Sequence, residues 1–169
     1  MNEIAENPYS APEADLKSSS QANVLNIFTR FSTWAVVGLS IITMGIYAVY
    51  WLYSRSKAIN SVIDNKIPSA LITTSLVLYV LGMIINYGPF LLGSAVVDIL
   101  PAMMIASPII GLASFVAMII WVFKFRNRLN EMTQSEGKPT WAGPILTFFF
   151  QVLYLNYKIN QHIDVQNSK

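Results

Sequence analysis

Few side chains in this sequence could carry a reaction. There is one histidine, His162, and no cysteine, which removes thiolate nucleophiles, disulfides and cysteine-ligated metals and argues against a histidine-built metal site or triad within one chain. Nucleophilic catalysis needs a base within hydrogen-bonding reach of a Ser or Thr, whereas His162 lies in the polar C-terminal end and the acidic residues are scattered through tails and loops. No glycine-rich phosphate loop is present. Asp98 is the one ionisable residue in an otherwise uncharged stretch from Leu71 to Phe123, and a carboxylate at bilayer depth would mark an ion or proton path. Flanked by Gly93 and Pro101, Asp98 reads first as part of a surface loop; the alternative is an intramembrane polar site. The expectation is a protein that is not an enzyme and carries no metal and no cofactor.

The elements that must position these residues are apolar helices. Hydrophobic residues make up 54% of the chain and charged ones 12%, against about 25% charged in soluble domains. Eleven Lys and Arg face nine Asp and Glu without a clustered basic patch, so nucleic acid is not an expected partner. The sequence predicts an all-α, helical integral membrane protein with a disordered tail over 1–30, a membrane domain over 31–164 and a polar end over 165–169. Apolar segments fall at 34–53, 70–87, 102–123 and 141–157, each near the length that spans a bilayer. Asn7-Pro8-Tyr9 in the tail reads as a Pro-bearing turn, with a docking motif as the alternative. Pro68 marks the start of the second segment, and Asn86-Tyr87-Gly88-Pro89 predicts its end. Phe90 to Val97 is too short to span and is expected in the interface or against the bundle. The last segment is interrupted by Gly143-Pro144 and contains Gln151 and Asn156; Asn160 is a candidate cap for it.

On the third segment Ser107, Gly111 and Ser114 share one face, with Ala106, Ala113 and Ala117 on the neighbouring stripe, so another helix can approach closely. Intramolecular packing is one use of that face and a homo-oligomer or another membrane protein the other. Arg55, Lys57, Lys124, Arg126 and Arg128 follow the apolar runs, where cations attract anionic membrane lipids at about 1 kcal/mol each. The exits repeat. Trp51-Leu52-Tyr53 followed by Ile59-Asn60 returns as Trp121-Val122-Phe123 followed by Leu129-Asn130, and Lys158-Ile159-Asn160 echoes both. The positive-inside rule puts the two basic connections in the cytoplasm. Four crossing helices are the leading arrangement. The third echo is at odds with it, and two crossing helices plus two re-entrant or interfacial segments, broken at Gly45 and Gly143-Pro144, form the alternative.

Thr43-Met44-Gly45-Ile46-Tyr47, Tyr50-Trp51 and downstream Asn60 resemble a motif of small bacterial membrane proteins catalogued as domain of unknown function 4234: Thr, any residue, Gly-Ile-Tyr, a short gap, Tyr-Trp and an Asn. The resemblance covers roughly Phe31 to Asn160, and Tyr154 to Asn160 also looks like the family's ending. It implies a multi-pass protein of the bacterial cytoplasmic (inner) membrane and brings no functional residues with it. The leading functional expectation is a non-catalytic accessory or scaffold subunit. The alternative is a small oligomeric channel or carrier, with Asp98, Thr43, Asn86, Gln151 and Asn156 along its path.

Overall fold

The computed structural model describes residues 25–133 and 140–168. Among these, the structure is all-helical: α1 (Thr33–Ile42), α2 (Ile46–Asn60), α3 (Ser69–Leu92), a 3-10 turn (Gly93–Ile99), α4 (Leu100–Met132) and α5 (Pro144–Asn167). They form three helical hairpins.

The first hairpin divides what the sequence reads as one segment over 34–53. The rings of Phe31 and Tyr47 lie 6.1 Å apart and Arg55 donates to the Thr29 carbonyl at 3.1 Å, contacts that a straight helix cannot make. The reversal is at Thr43-Met44-Gly45, where Met44 and Gly45 take positive φ (51° and 91°). Every backbone donor of the turn is paired: Thr43 N with Leu39 O, Met44 N with Ile41 O, Gly45 N with Ser40 O and Ile46 N with Thr43 O. The Thr43 hydroxyl accepts from Tyr47 N at 2.9 Å and donates to Leu39 O at 2.7 Å. It therefore ties the end of α1 to the start of α2, and Tyr79 on α3 donates its hydroxyl to Met44 O. The Thr-x-Gly-Ile-Tyr pattern is the chemistry of this turn. A Cβ on Gly45 would lie 3.1 Å from the Tyr79 hydroxyl oxygen, in a left-handed conformation that itself costs about 1–2 kcal/mol for other residues. Gly45→Ala is expected to destabilise the fold by about 1–3 kcal/mol; in thermal unfolding, adding Tyr79→Phe should recover the steric part and leave the conformational part.

The second hairpin is the tall one. Arg128 donates to the Asn65 side chain at its foot and Ser107 to Asn86 nearer its tip, so α3 and α4 run antiparallel about the 3-10 turn. The turn expected at Asn86-Tyr87-Gly88-Pro89 is absent, and α3 continues through it to Leu92. Those residues serve the helix contact instead. Asn86 donates to Gly82 O and accepts from Ser107, while Gly88 is buried with the Met103 side chain 3.7 Å from where its Cβ would be. The reversal falls at Gly93, whose φ is 54°. Phe90 to Val97 therefore completes α3 and enters the 3-10 turn, and α4 outruns the expected 102–123 at both ends. The helical run Ser69–Met132 is long and apolar enough to cross a membrane by length and composition, and only 6% of its most apolar stretch is buried within the chain.

The third hairpin lies within α5. Gly143 N donates to the Tyr154 hydroxyl at 3.0 Å, although eleven residues of straight helix would separate them by about 16 Å. Trp141 likewise packs on His162 with ring centroids 6.1 Å apart. The break is at Gln151 (φ 39°, ψ −119°). Gly143-Pro144, expected to interrupt this segment, instead begins it, with Pro144 in the first turn where its missing N–H costs least. The helix also runs to Asn167, past the expected end of the membrane domain at 164.

The core lies at one end, the base, where the hairpins meet. Trp121, Val122, Phe125, Leu52, Ile59, Leu129, Leu155 and Ile159 are buried there. Leu25 and Phe28 join them, so the expected tail over 1–30 is folded from Leu25 onward; apolar Leu25, Ile27 and Phe28 interrupt its polar composition. Asn7-Pro8-Tyr9 lies outside the described residues.

Candidate functional site

The polar chemistry of the described residues concentrates at the base, and the repeated asparagines organise it. Asn60 receives Ile67 N on Oδ1 at 2.8 Å and donates from Nδ2 to Ile67 O at 2.9 Å. Asn130 does the same to Ala142 at 2.7 and 3.3 Å, and Asn160 to Phe31 at 3.2 and 2.7 Å. Ile67, Ala142 and Phe31 each precede the N-cap residue of a hairpin: Pro68, Gly143 and Ser32. The descending helix of each hairpin thus carries an Asn that clasps the start of another, and the third clasp returns to the first hairpin, closing a ring. A carboxamide offers one acceptor and two donors on a short stem, so it can pair with both backbone groups of one residue; Asp would lack the donor.

The equivalence extends up each descending helix. The residue before each Asn is Ile59, Leu129 or Ile159, all buried, and four positions earlier than each Asn stands buried Ser56, Arg126 or Asn156. Nine positions before come Trp51, Trp121 and Gln151. Trp51 Nε1 donates to Asn156 Oδ1 at 3.1 Å and Trp121 Nε1 to Ser56 Oγ at 2.9 Å, each indole reaching a neighbouring hairpin. Arg126 makes a different link, from Nε to Ala142 O at 2.7 Å. Asn156 also donates to Phe31 O and Thr33 Oγ1. It joins both arms of the first hairpin to the third.

The expected cationic anchors divide. Lys57 and Lys124 are exposed. Arg55 lies over the rings of Phe28 and Trp51, Arg126 is buried, and Arg128 is held by Asn65 and Glu131. Three of the five are therefore engaged in holding the base together. The family-motif residues also have structural tasks: Thr43, Gly45, Ile46 and Tyr47 form the turn, Trp51 and Asn60 the base, and Tyr50 is exposed with its ring 6.0 Å from that of Tyr47. On the small-residue face, Ala117 is buried and Ser107 bonds to Asn86. Ser114 and Ala106 are half-buried, while Gly111 and Ala113 are exposed, with nothing within 4 Å of a Cβ built on Gly111. Asp98 is exposed in the turn at the tip of the tall hairpin. Asn160 is no terminal cap; it sits inside α5 as the closing clasp.

An exposed ion pair completes this end. Arg30 Nε lies 2.6 Å from Asp164 Oδ1, beside a cleft of about 550 Å³ between the start of α1 and the end of α5. The hydrogen bond from Arg30, with its charge, holds the Asp164 carboxyl below its usual range. Its contribution is present above the ordinary carboxylate pKa and is lost as pH falls through the depressed folded value. Asp164→Asn should thus lower the thermal midpoint slightly at neutral pH, by an amount that salt reduces and that vanishes in acid.

Among the described residues no group of three or more His, Asp or Glu could hold a metal. The arrangement fastens helices. A family model described as Domain of unknown function (DUF4234) matches residues 31–131, which takes in the first two hairpins and stops short of Tyr154 to Asn160. No match was found among curated proteins or among solved structures.

Proposed function

Because the chain belongs to the family described as Domain of unknown function (DUF4234), a membership that brings no activity with it, we propose a function from its shape. It is a non-catalytic accessory or scaffold protein of the bacterial inner membrane. The tall hairpin crosses the bilayer, and the two short hairpins enter and leave by the leaflet that holds the base. The observation that carries this reading is the turn of the first hairpin. Its flanks Ile41, Ile42, Met44 and Ile46 are 72, 79, 64 and 50% exposed, yet its backbone donors are all paired. An apolar tip whose backbone donors are all paired is what hydrocarbon demands of a chain reversal, since no water is present to satisfy free groups. In water it would expose a large apolar patch for no return.

This reading takes the two-crossing arrangement over four crossings, because a segment that doubles back returns to the side it came from. It also explains the third basic echo at Lys158, which four crossings would put on the far side. Three of the polar residues considered for a carrier path have other work: Thr43 closes a turn, Asn156 binds an indole, a backbone carbonyl and a threonine hydroxyl, and Asn86 pairs with Ser107. The partner of the scaffold is a membrane protein or a second copy, received at the open part of the small-residue face around Gly111 and Ala113, with membrane lipids around the remainder. Cross-linking in native membranes followed by mild-detergent extraction tests it. Recovery in a defined complex that Gly111→Leu weakens is the expected result; monomer alone, with no cross-linked partner, contradicts the scaffold role.

A further inference from the structure

We infer that the protein is a membrane wedge, which favours bilayers curved convexly toward the side of its base. The inference rests on the membrane reading above and concerns what the fold does to the bilayer. Its basis is the difference in height among the hairpins. α1 has 10 residues, a rise of about 15 Å, and the ascending arm of the third hairpin, 144–150, is shorter still. The hydrocarbon core is about 30 Å thick, whereas α3 alone, at 24 residues, rises about 36 Å.

One hydrogen bond and one shared cleft set the level of the short tips. Tyr79 reaches Met44 O at the tip of the first hairpin, and Tyr79 lies ten residues into α3, about 15 Å above its foot. Val37, Ser40 and Ile41 of the first hairpin share a cleft with Phe149 to Leu153 at the tip of the third. Both tips thus stop near mid-bilayer, with Ile42 and Phe149 79 and 71% exposed to acyl chains. Six helical arms fill the leaflet around the base, and only α3 and α4 continue through the other. With a helix diameter of about 10 Å, four extra arms add about 300 Å² to one leaflet per molecule. A bilayer relieves that mismatch by bending.

The wedge has a direction, which makes it testable. The natural chain has no cysteine, so full-length protein carrying Ser61→Cys, at the exposed foot of the first hairpin, reports orientation through a membrane-impermeant maleimide. It is reconstituted into phosphatidylethanolamine and phosphatidylglycerol liposomes, which are then separated by size. The expected result is a ratio of base-outward to base-inward molecules severalfold higher in the smallest vesicles than in the largest, together with a mean vesicle diameter that falls as protein load rises. Protein that resists alkaline carbonate extraction but shows equal orientation ratios and unchanged diameters overturns the wedge alone. Protein stripped by carbonate overturns the membrane reading and the wedge with it.

Discussion

Asn156→Leu is expected to cost about 2–4 kcal/mol, because it leaves the buried Trp51 indole N–H and the half-buried Thr33 hydroxyl without their partner, at about 1–3 kcal/mol each. Leu keeps the branched four-atom skeleton of Asn with bulkier methyl ends, so lost pairing is the main cost and mild overpacking adds to it. In the native protein Asn156 is 1% exposed and satisfies Trp51 Nε1, Phe31 O and Thr33 Oγ1. Phe31 O keeps its bond from Asn160, so the heaviest penalty falls on the Trp51 indole, itself 3% exposed. Trp51→Phe removes that orphaned donor. Combining the two substitutions should therefore cost less than the sum of the separate changes, by about 1–2 kcal/mol in a double-mutant cycle read by denaturation in mixed micelles. Strict additivity would mean that the indole and the carboxamide do not interact.

Trp121→Ala should be equally damaging for a different reason. Trp121 is 0% exposed among Val122, Phe125 and Leu129 where the descending helices converge, and truncating a buried aromatic to Ala costs about 3–5 kcal/mol through lost transfer energy and the cavity left behind. It also frees the Ser56 hydroxyl, which is fully buried. Ser56→Ala in the Trp121→Ala background should be close to neutral, whereas in the native background it strands the indole N–H and costs about 1–3 kcal/mol. That reversal separates the hydrogen bond from the packing.

Much of this was legible in the sequence, and what was missed has physical causes. The repeated exits are visible as spaced aromatic, basic and Asn positions, and they correspond to the three descending helices and their clasps. What each Asn does was not visible, because its partner is backbone, and backbone groups leave no mark on residue type. Ile67, Ala142 and Phe31 have no shared chemistry to find. The turn at Gly45 was signalled by Gly, and the resemblance pointed to the same residues. The turn at Gln151 carries no comparable signal; Gly143-Pro144, the stronger local mark, begins a helix there, since Pro is as suited to a first turn as to a break. Asn86 to Pro89 misled in the opposite sense. A strong turn sequence was overridden by packing, with Gly88 admitting Met103 and Asn86 pairing with Ser107.

The central claim is that all three hairpins stand on one side of the membrane. Single cysteines at Thr29, Ser61, Thr140 and Ser94, tested in intact and permeabilised cells with an impermeant maleimide, measure it directly. The predicted result is that Thr29→Cys, Ser61→Cys and Thr140→Cys react only after permeabilisation of the inner membrane, while Ser94→Cys at the tip of the tall hairpin reacts in intact cells. Reaction of Thr29→Cys in intact cells, with Ser61→Cys still protected, would mean that the first apolar stretch crosses the bilayer, and would contradict the account.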